Sequence, residues 1–404
     1  MRKHGGRRTQ PGTTCGPRLP GCDGEPTVPR RAPTAIGLAA APDHPELPVS
    51  SLAAAKGGAR QAREIAEPSH VLVRGWSDRF VWEDAAMYLP IEPYDSGHLE
   101  LSDGHAVYWE VVGSPDGLPA VWLHGGPGAP ASPGSRRNFD PARYRAVIFD
   151  QRGCGRSRPL ASNADADLST NTTDHLVADV ERLRSHLGID RWVVVGGSWG
   201  VTLALVYAQR HPERVLGMVL AAVTSGRWRE TQWITRDMGR VFPRQWDRFV
   251  GLVPEAERGG DLAAAYARLL ASPDQAVREE AARRWCEWED THMSLAPGYE
   301  PHLSVRELSW QMVFARLVTH YWGHGCFLAD NEVLANMARI AHIPATLVHG
   351  LHDISGPLDT SWELHKAWPA SRLVVVDDAG HFGGSMGEQF TAAIDAMADQ
   401  LRRG

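Results

Sequence analysis

The stretch Trp192-Val193-Val194-Val195-Gly196-Gly197-Ser198-Trp199-Gly200-Val201-Thr202-Leu203 decides the fold. Trp192–Val195 reads as a strand, and Trp199–Arg210 reads as the helix that follows it. Only a glycine-flanked serine separates the two. A turn that short brings strand and helix into contact, which residues lacking a Cβ permit, and it predicts a strained backbone at the serine. The turn lifts the Ser198 hydroxyl above the sheet. It also sets the N–H of Trp199 at a helix N-terminus, where partial positive charge favours an anion.

Outward from this turn, strands and helices alternate. His98–Leu101 and Ala106–Val112 read as two antiparallel strands around Ser102-Asp103-Gly104. Ala120–Leu123 and Tyr144–Phe149 are buried apolar runs. Thr172–Leu187 carries Leu176, Val180, Leu183 and Leu187 on one helical face, and Gly188 stops it. Val215–Val223 is the next strand. Residues 225–340 change rhythm: they are helical in character, show no buried strand run and hold seven tryptophans, Trp228, Trp233, Trp246, Trp285, Trp288, Trp310 and Trp322. The strand pattern returns at Ala345–His349, followed by a helix over Leu358–Trp368, a strand over Arg372–Val376 and a last helix. The expectation is an α/β domain over 87–224 and 341–404, with a mostly parallel sheet flanked by helices. An all-helical cap over 225–340 is expected above the sheet's C-terminal edge, where open α/β sheets bind ligands. No internal repeat is visible.

The chain has 404 residues, 43% of them hydrophobic, which suffices for a large core, and its net charge of -6 argues against a nucleic-acid partner. No run approaches the length of a membrane span. The cysteines (Cys15, Cys22, Cys154, Cys286, Cys326) are odd in number and irregularly spaced. They argue against a disulfide framework or a zinc site, and for reduced thiols in a cytoplasmic protein. Residues 1–86 are rich in Gly, Pro, Arg and Ala without periodicity, so disorder is expected there, with a short helix around Leu52–Ile65. The best apolar candidate for a secretory signal, Ala35–Ala41, is short and flanked by prolines, so no signal peptide is expected. The folded pattern opens near Met87. Either the natural start lies there and the upstream residues belong to an over-extended reading frame, or they are a genuine tail.

Between a strand and a helix, Gly196-Gly197-Ser198-Trp199-Gly200 is a G-x-S-x-G nucleophile elbow, the mark of the α/β-hydrolase fold. A serine at neutral pH needs a base, itself oriented by an acid, and in this fold the chain order is serine, acid, histidine. His381, in Asp378-Ala379-Gly380-His381-Phe382 after the last strand, is the expected base. The acid should follow the preceding strand, and Asp353 in Leu351-His352-Asp353 fits. Asp377 and Asp378 lie too close along the chain to His381, and His352 competes as the base. The loop His124-Gly125-Gly126-Pro127-Gly128 follows an early strand. It offers Gly125 and Gly126 as oxyanion donors beside Trp199, each such donor typically worth about 3 kcal/mol. His124 is read as a brace for this loop. Asp150, Arg152 and Arg156 are read as loop-bracing ion pairs and Cys154 as a small buried thiol. A serine at the elbow disfavours epoxide hydrolases and haloalkane dehalogenases, which use aspartate there.

These segments, with Ile91-Glu92-Pro93-Tyr94-Asp95-Ser96-Gly97, Asp150-Gln151-Arg152-Gly153-Cys154-Gly155-Arg156-Ser157 and Trp285-Cys286-Glu287-Trp288-Glu289, resemble the proline iminopeptidase family of serine exopeptidases. The resemblance runs from about Met87 to the end of the chain. It implies release of an N-terminal proline from a peptide with a free N-terminus, through an ester on Ser198, with neither a metal nor an organic cofactor. Cap glutamates of that family bind the substrate's ammonium, and one matches Glu289. The second does not match: the family's run resembling A-R-I-E-N-H-Y-F is here Ala315-Arg316-Leu317-Val318-Thr319-His320-Tyr321-Trp322. Glu307, Asp290 or Glu287 would have to point inward to replace it. Trp285 and Trp288 either shape a proline-sized pocket or form the core of the cap. An esterase or amide hydrolase with altered amine recognition stays open, as does a non-catalytic binding protein, which the complete triad disfavours.

Overall fold

The computed structural model describes residues 88–403, apart from residues 164, 294, 297, 298 and 301. The disorder expected over 1–86, the helix around Leu52–Ile65 and the question of Met87 lie outside the described residues. The strands are β1 (Asp95–Glu100), β2 (Ala106–Gly113), β3 (Leu118–Leu123), β4 (Tyr144–Phe149), β5 (Trp192–Gly197), β6 (Val215–Ala221), β7 (Ala345–Gly350) and β8 (Ser371–Val376). They form one sheet in the order β1-β2-β4-β3-β5-β6-β7-β8. The pairs β1–β2 and β2–β4 are antiparallel, and the pairings from β4 through β8 are parallel. This is the mostly parallel α/β sheet that the alternating pattern predicts.

The helices are α1 (Pro133–Arg136), α2 (Thr173–His186), α3 (Trp199–Arg210), α4 (Trp228–Thr235), α5 (Pro243–Gly251), α6 (Leu262–Leu270), α7 (Gln275–His292), α8 (Leu308–Gly323), α9 (Glu332–Ala335), α10 (Asp359–Ala367) and α11 (Met386–Arg403). Central strand β5 shows why its sequence is apolar throughout. Val194 faces the layer of α2 and α3, beside Leu183 and Leu203. Val193 and Val195 face the layer of α11, beside Phe390 and Ile394. Successive strand residues point to opposite faces, so a sheet covered on both sides demands an unbroken apolar run.

Helices α4 to α9 lie between β6 and β7 along the chain. Within them Phe249, Tyr266, Trp285 and Trp288 form an aromatic core. Phe249 stacks on Tyr266 with centroids 4.6 Å apart and on Trp288 at 5.2 Å. Aromatic side chains bury roughly 150–250 Å² each, which lets a few short helices hold a core of their own. Short polar residues start these helices: Asp261 accepts from Ala264 N–H and Asp274 from Ala276 N–H. Among the described residues no helix is long and apolar enough to cross a membrane.

Because β3, β5, β7 and β8 run parallel, their C-terminal ends share one edge. The segments that leave that edge carry His124–Gly126, Ser198, Asp353 and His381.

Candidate active site

Ser198 occupies the turn between β5 and α3 with φ 55° and ψ -124°, the left-handed side of the map for a residue that carries a Cβ. Such a conformation stores about 1–3 kcal/mol and persists only where the surroundings impose it. Here the approach of neighbouring backbone imposes it. A Cβ on Gly200 would lie 2.0 Å from the carbonyl oxygen of Leu123, and one on Gly196 would lie 2.7 Å from that of Gly200. Ser198 N–H donates to Ala221 O at 3.0 Å, which ties the turn to β6.

His381 Nε2 lies 2.9 Å from Ser198 Oγ, and its Nδ1 lies 2.7 Å from Asp353 Oδ2. Asp353 Oδ1 accepts from Gly356 N–H at 2.8 Å, so both carboxylate oxygens receive a donor. Burial opposes the charge of Asp353. The His381 ring beside it outweighs that, with help from His349 and the Gly356 N–H, and holds the carboxyl below its usual value. The competing residues take other partners. Asp378 accepts from Ser385, Asp377 is exposed, and the main chain of His352 bonds to Ala379 O.

Gly125 packs against Ser198: a Cβ there would meet Ser198 Cβ at 3.3 Å. Among the described residues, neither Gly125 N–H nor Gly126 N–H donates to another protein group. Trp199 is the first residue of α3, so its N–H has no carbonyl one turn back to bond. Gly125, Gly126, Ser198 and His381 line one cleft. A second recess shares Gly126 and Ser198 with it and runs along α4 to Trp233. The 150–157 loop is braced by Arg156 to Asp150 and Glu110, both 2.8 Å, and by Arg152 to Asp179 and Asp103. Cys154 is buried, and burial pushes its thiol well above the usual range, which leaves it inert as a nucleophile.

Glu289 is the single carboxylate among the described residues lining the cleft. Burial pushes its carboxyl up to about 8, opposed by the Trp285 indole, which donates to Oε1 at 3.1 Å, and reinforced by Asp290. Trp285 and Trp288 both belong to the aromatic core rather than to the cleft wall, which decides between their two readings. None of the three replacement acids reaches the cleft. Asp290 accepts from the main-chain N–H groups of His302, Leu303 and Ser304, Glu287 faces Arg248 and Arg284, and Glu307 is exposed. Phe314 and Trp322 line the cleft, and Val318 lies four residues from each on α8. Helical spacing puts all three on one stripe, so the position that carries the family's second glutamate is an apolar part of the cleft-side packing.

Sequence reasoning passed over Gln151. Its side chain joins Trp199 to His124. It also passed over His292, which bonds Ser355 through Nδ1 at 3.0 Å and lies with Nε2 3.8 Å from Glu289; burial, and then His381, push it down to about 3. Gln151 carried no signal of its own, since a polar residue between two charged loop-bracing residues reads as loop surface. His292 gave none beyond its three-residue spacing from Glu289. Among the described residues no group of three or more His, Cys, Asp or Glu side chains is arranged to hold a metal.

A family model described as alpha/beta hydrolase fold matches residues 121–385. A probable proline iminopeptidase of Streptomyces coelicolor is 51% identical over 323 residues, covering 79% of this chain and 98% of its own length. The proline iminopeptidase of Neisseria gonorrhoeae is 43% identical over 320 residues, covering 78% of this chain and 100% of its own. The crystal structure of the proline iminopeptidase of Mycobacterium smegmatis superposes with a TM-score of 0.50 at 21% identity, covering 76% of this chain and 98% of that one, a likeness of fold.

Proposed function

The chain belongs to the proline iminopeptidases, within the α/β hydrolases, and from that membership we propose that it is a serine aminopeptidase that releases N-terminal proline from peptides. Ser198 Oγ attacks the carbonyl carbon of the first residue while His381 Nε2 takes the hydroxyl proton. Negative charge gathers on the carbonyl oxygen, where the N–H groups of Trp199 and of Gly125 or Gly126 receive it. His381 then gives its proton to the departing amine, and the peptide shortened by one residue leaves. Water attacks the prolyl ester, with His381 again the base, and proline is released. Asp353 keeps the proton of His381 on Nδ1 and stabilises the imidazolium.

The observation that carries this reading is the 2.9 and 2.7 Å chain from Ser198 through His381 to Asp353, in a cleft whose single lining carboxylate among the described residues is Glu289. In the reading, Glu289 pairs with the substrate's ammonium and so marks the free N-terminus. The recess along α4 gives the rest of the peptide room to lie. The helical segment over 225–340 acts as a cap that closes the cleft from bulk water. We assign the protein to the cytoplasm, in keeping with the free buried thiols of Cys154, Cys286 and Cys326.

Val318 favours a second reading, an esterase or amide hydrolase with relaxed amine recognition. A steady-state screen of prolyl, alanyl and N-acetylprolyl arylamides, with Ser198→Ala as the blank, separates the two. The aminopeptidase cleaves the prolyl substrate best and leaves the acetylated one intact. Equal cleavage of free and acetylated substrates selects the second reading.

A further inference from the structure

The side chain of Gln151 lies between the two segments that carry the candidate oxyanion donors. Its Nε2 donates to His124 O at 2.9 Å, and its Oε1 accepts from the Trp199 indole at 3.0 Å; both bonds are buried. The orientation of the amide follows from chemistry, because an indole N–H only donates and a carbonyl only accepts. The main-chain N–H of Gln151 also donates to His124 Nε2 at 2.9 Å. That fixes the tautomer: the proton of the buried ring sits on Nδ1, which donates to Gly125 O at 2.9 Å.

These bonds hold two successive carbonyls, those of His124 and Gly125. The peptide bonds 124–125 and 125–126 are both trans. In a planar trans peptide the C=O and N–H point in opposite directions. Fixing His124 O therefore aims Gly125 N–H, and fixing Gly125 O aims Gly126 N–H. The indole bond secures Trp199, whose own N–H is the third candidate.

We infer that Gln151 is the positioning residue of the oxyanion site, setting the His124–Gly128 loop in register with the nucleophile elbow through one amide. This rests on the reading of Ser198 as the nucleophile. An amide meets the requirement at every pH: a leucine of similar size offers neither group, and a carboxylate offers no donor to His124 O. A protonated carboxyl offers both again, which makes the glutamate variant sensitive to pH.

The test compares wild type, Gln151→Leu and Gln151→Glu in two assays. One is turnover of a prolyl arylamide. The other is the rate at which a fluorophosphonate labels Ser198, which needs the nucleophile and the oxyanion site but no amine recognition. Wild type that folds and is not labelled sinks the nucleophile reading itself. With wild type labelled, Gln151→Leu should lose about 10- to 100-fold in kcat and in labelling rate with KM within about threefold, since a misaimed donor loses part of what a deleted one does. A leucine variant within twofold of wild type in both assays overturns the inference, as does a loss confined to KM. The glutamate variant decides if the leucine variant does not fold. Its deficit relative to wild type should be small near about pH 5 and widen toward about pH 9 as the carboxyl ionises. A ratio flat across that range overturns the inference.

Discussion

Replacing Glu289 by Gln tests amine recognition with little change of shape, because an amide oxygen can still accept from Trp285. The lost term is the charge that meets the substrate's ammonium in a buried place. Removing one partner of a buried ion pair typically costs about 3–5 kcal/mol. Part of that is already offset in the wild type. With its carboxyl pushed up to about 8, Glu289 is mostly neutral at pH 7, and ionising it one unit below its midpoint takes back about 1.4 kcal/mol. The remainder is about 1.6–3.6 kcal/mol, or about 15- to 400-fold in kcat/KM at pH 7. The sign of the pH dependence follows. The ionised fraction rises with pH, so the gap between wild type and Glu289→Gln should be about fivefold wider at pH 8 than at pH 7. The assay is kcat/KM for a prolyl arylamide from about pH 6 to about pH 8, with both proteins run on the same substrate and rates referred to its protonated form, because an α-amine itself starts to lose its proton near about pH 8. A gap under about threefold, or one that does not move with pH, would refute the pairing of Glu289 with the amine.

The same variant should be the more stable protein in alkali. A carboxyl raised from 4.5 to about 8 keeps a proton that the unfolded chain releases, so its neutral form favours folding below about 4.5 and that support is lost as pH rises through about 8. Denaturant titrations should give Glu289→Gln an advantage of up to about 5 kcal/mol at pH 9 and almost none at pH 4; an advantage constant with pH would contradict the buried-carboxyl argument. Asp353→Asn should lower kcat by about 10⁴-fold. With the amide oxygen on Gly356 N–H, its NH₂ faces His381 Nδ1 and drives the ring proton onto Nε2, toward Ser198. Retention of more than a tenth of wild-type kcat would remove Asp353 from the role. Val318→Glu restores the family's second carboxylate. It should sharpen discrimination between free and acetylated substrates by about 10- to 100-fold and lower the melting temperature, because it buries a charge within an apolar cluster. Unchanged discrimination in a folded variant would show that position 318 does not reach the amine.

What the sequence made legible was local or ordered along the chain. The elbow at 196–200 is one contiguous strand–turn–helix unit, so its glycines, serine and buried flanks can be read together. That Asp353 and His381 come together with Ser198 was recoverable although 155 and 183 residues separate them from it. Parallel strands end at one edge, so the residue that follows each strand is already placed near the others. The apolar runs around Val193–Val195 and Leu347–Val348 reported strands buried on both faces for the same reason.

The contacts that escaped depend on which segments the fold brings face to face, and periodicity carries no information about that. Gln151 stands between an aspartate and an arginine that form ion pairs, and a polar residue there reads as loop surface until its partners at 124 and 199 are known. The choice between pocket and core for Trp285 and Trp288 likewise needed the packing of three helices. Both rings turned out buried in the aromatic core of the helices between β6 and β7, and it is the indole of Trp285 that steadies Glu289. Val318 shows the reverse case. Its identity was visible as a departure from a pattern, but its consequence follows only from seeing Phe314 and Trp322 on the same stripe and, among the described residues, no carboxylate besides Glu289 lining the cleft. If one acid does the work of two, this chain must bind its amine with a group that gives up its proton only near pH 8, and its selectivity for a free N-terminus should weaken steadily as the medium acidifies.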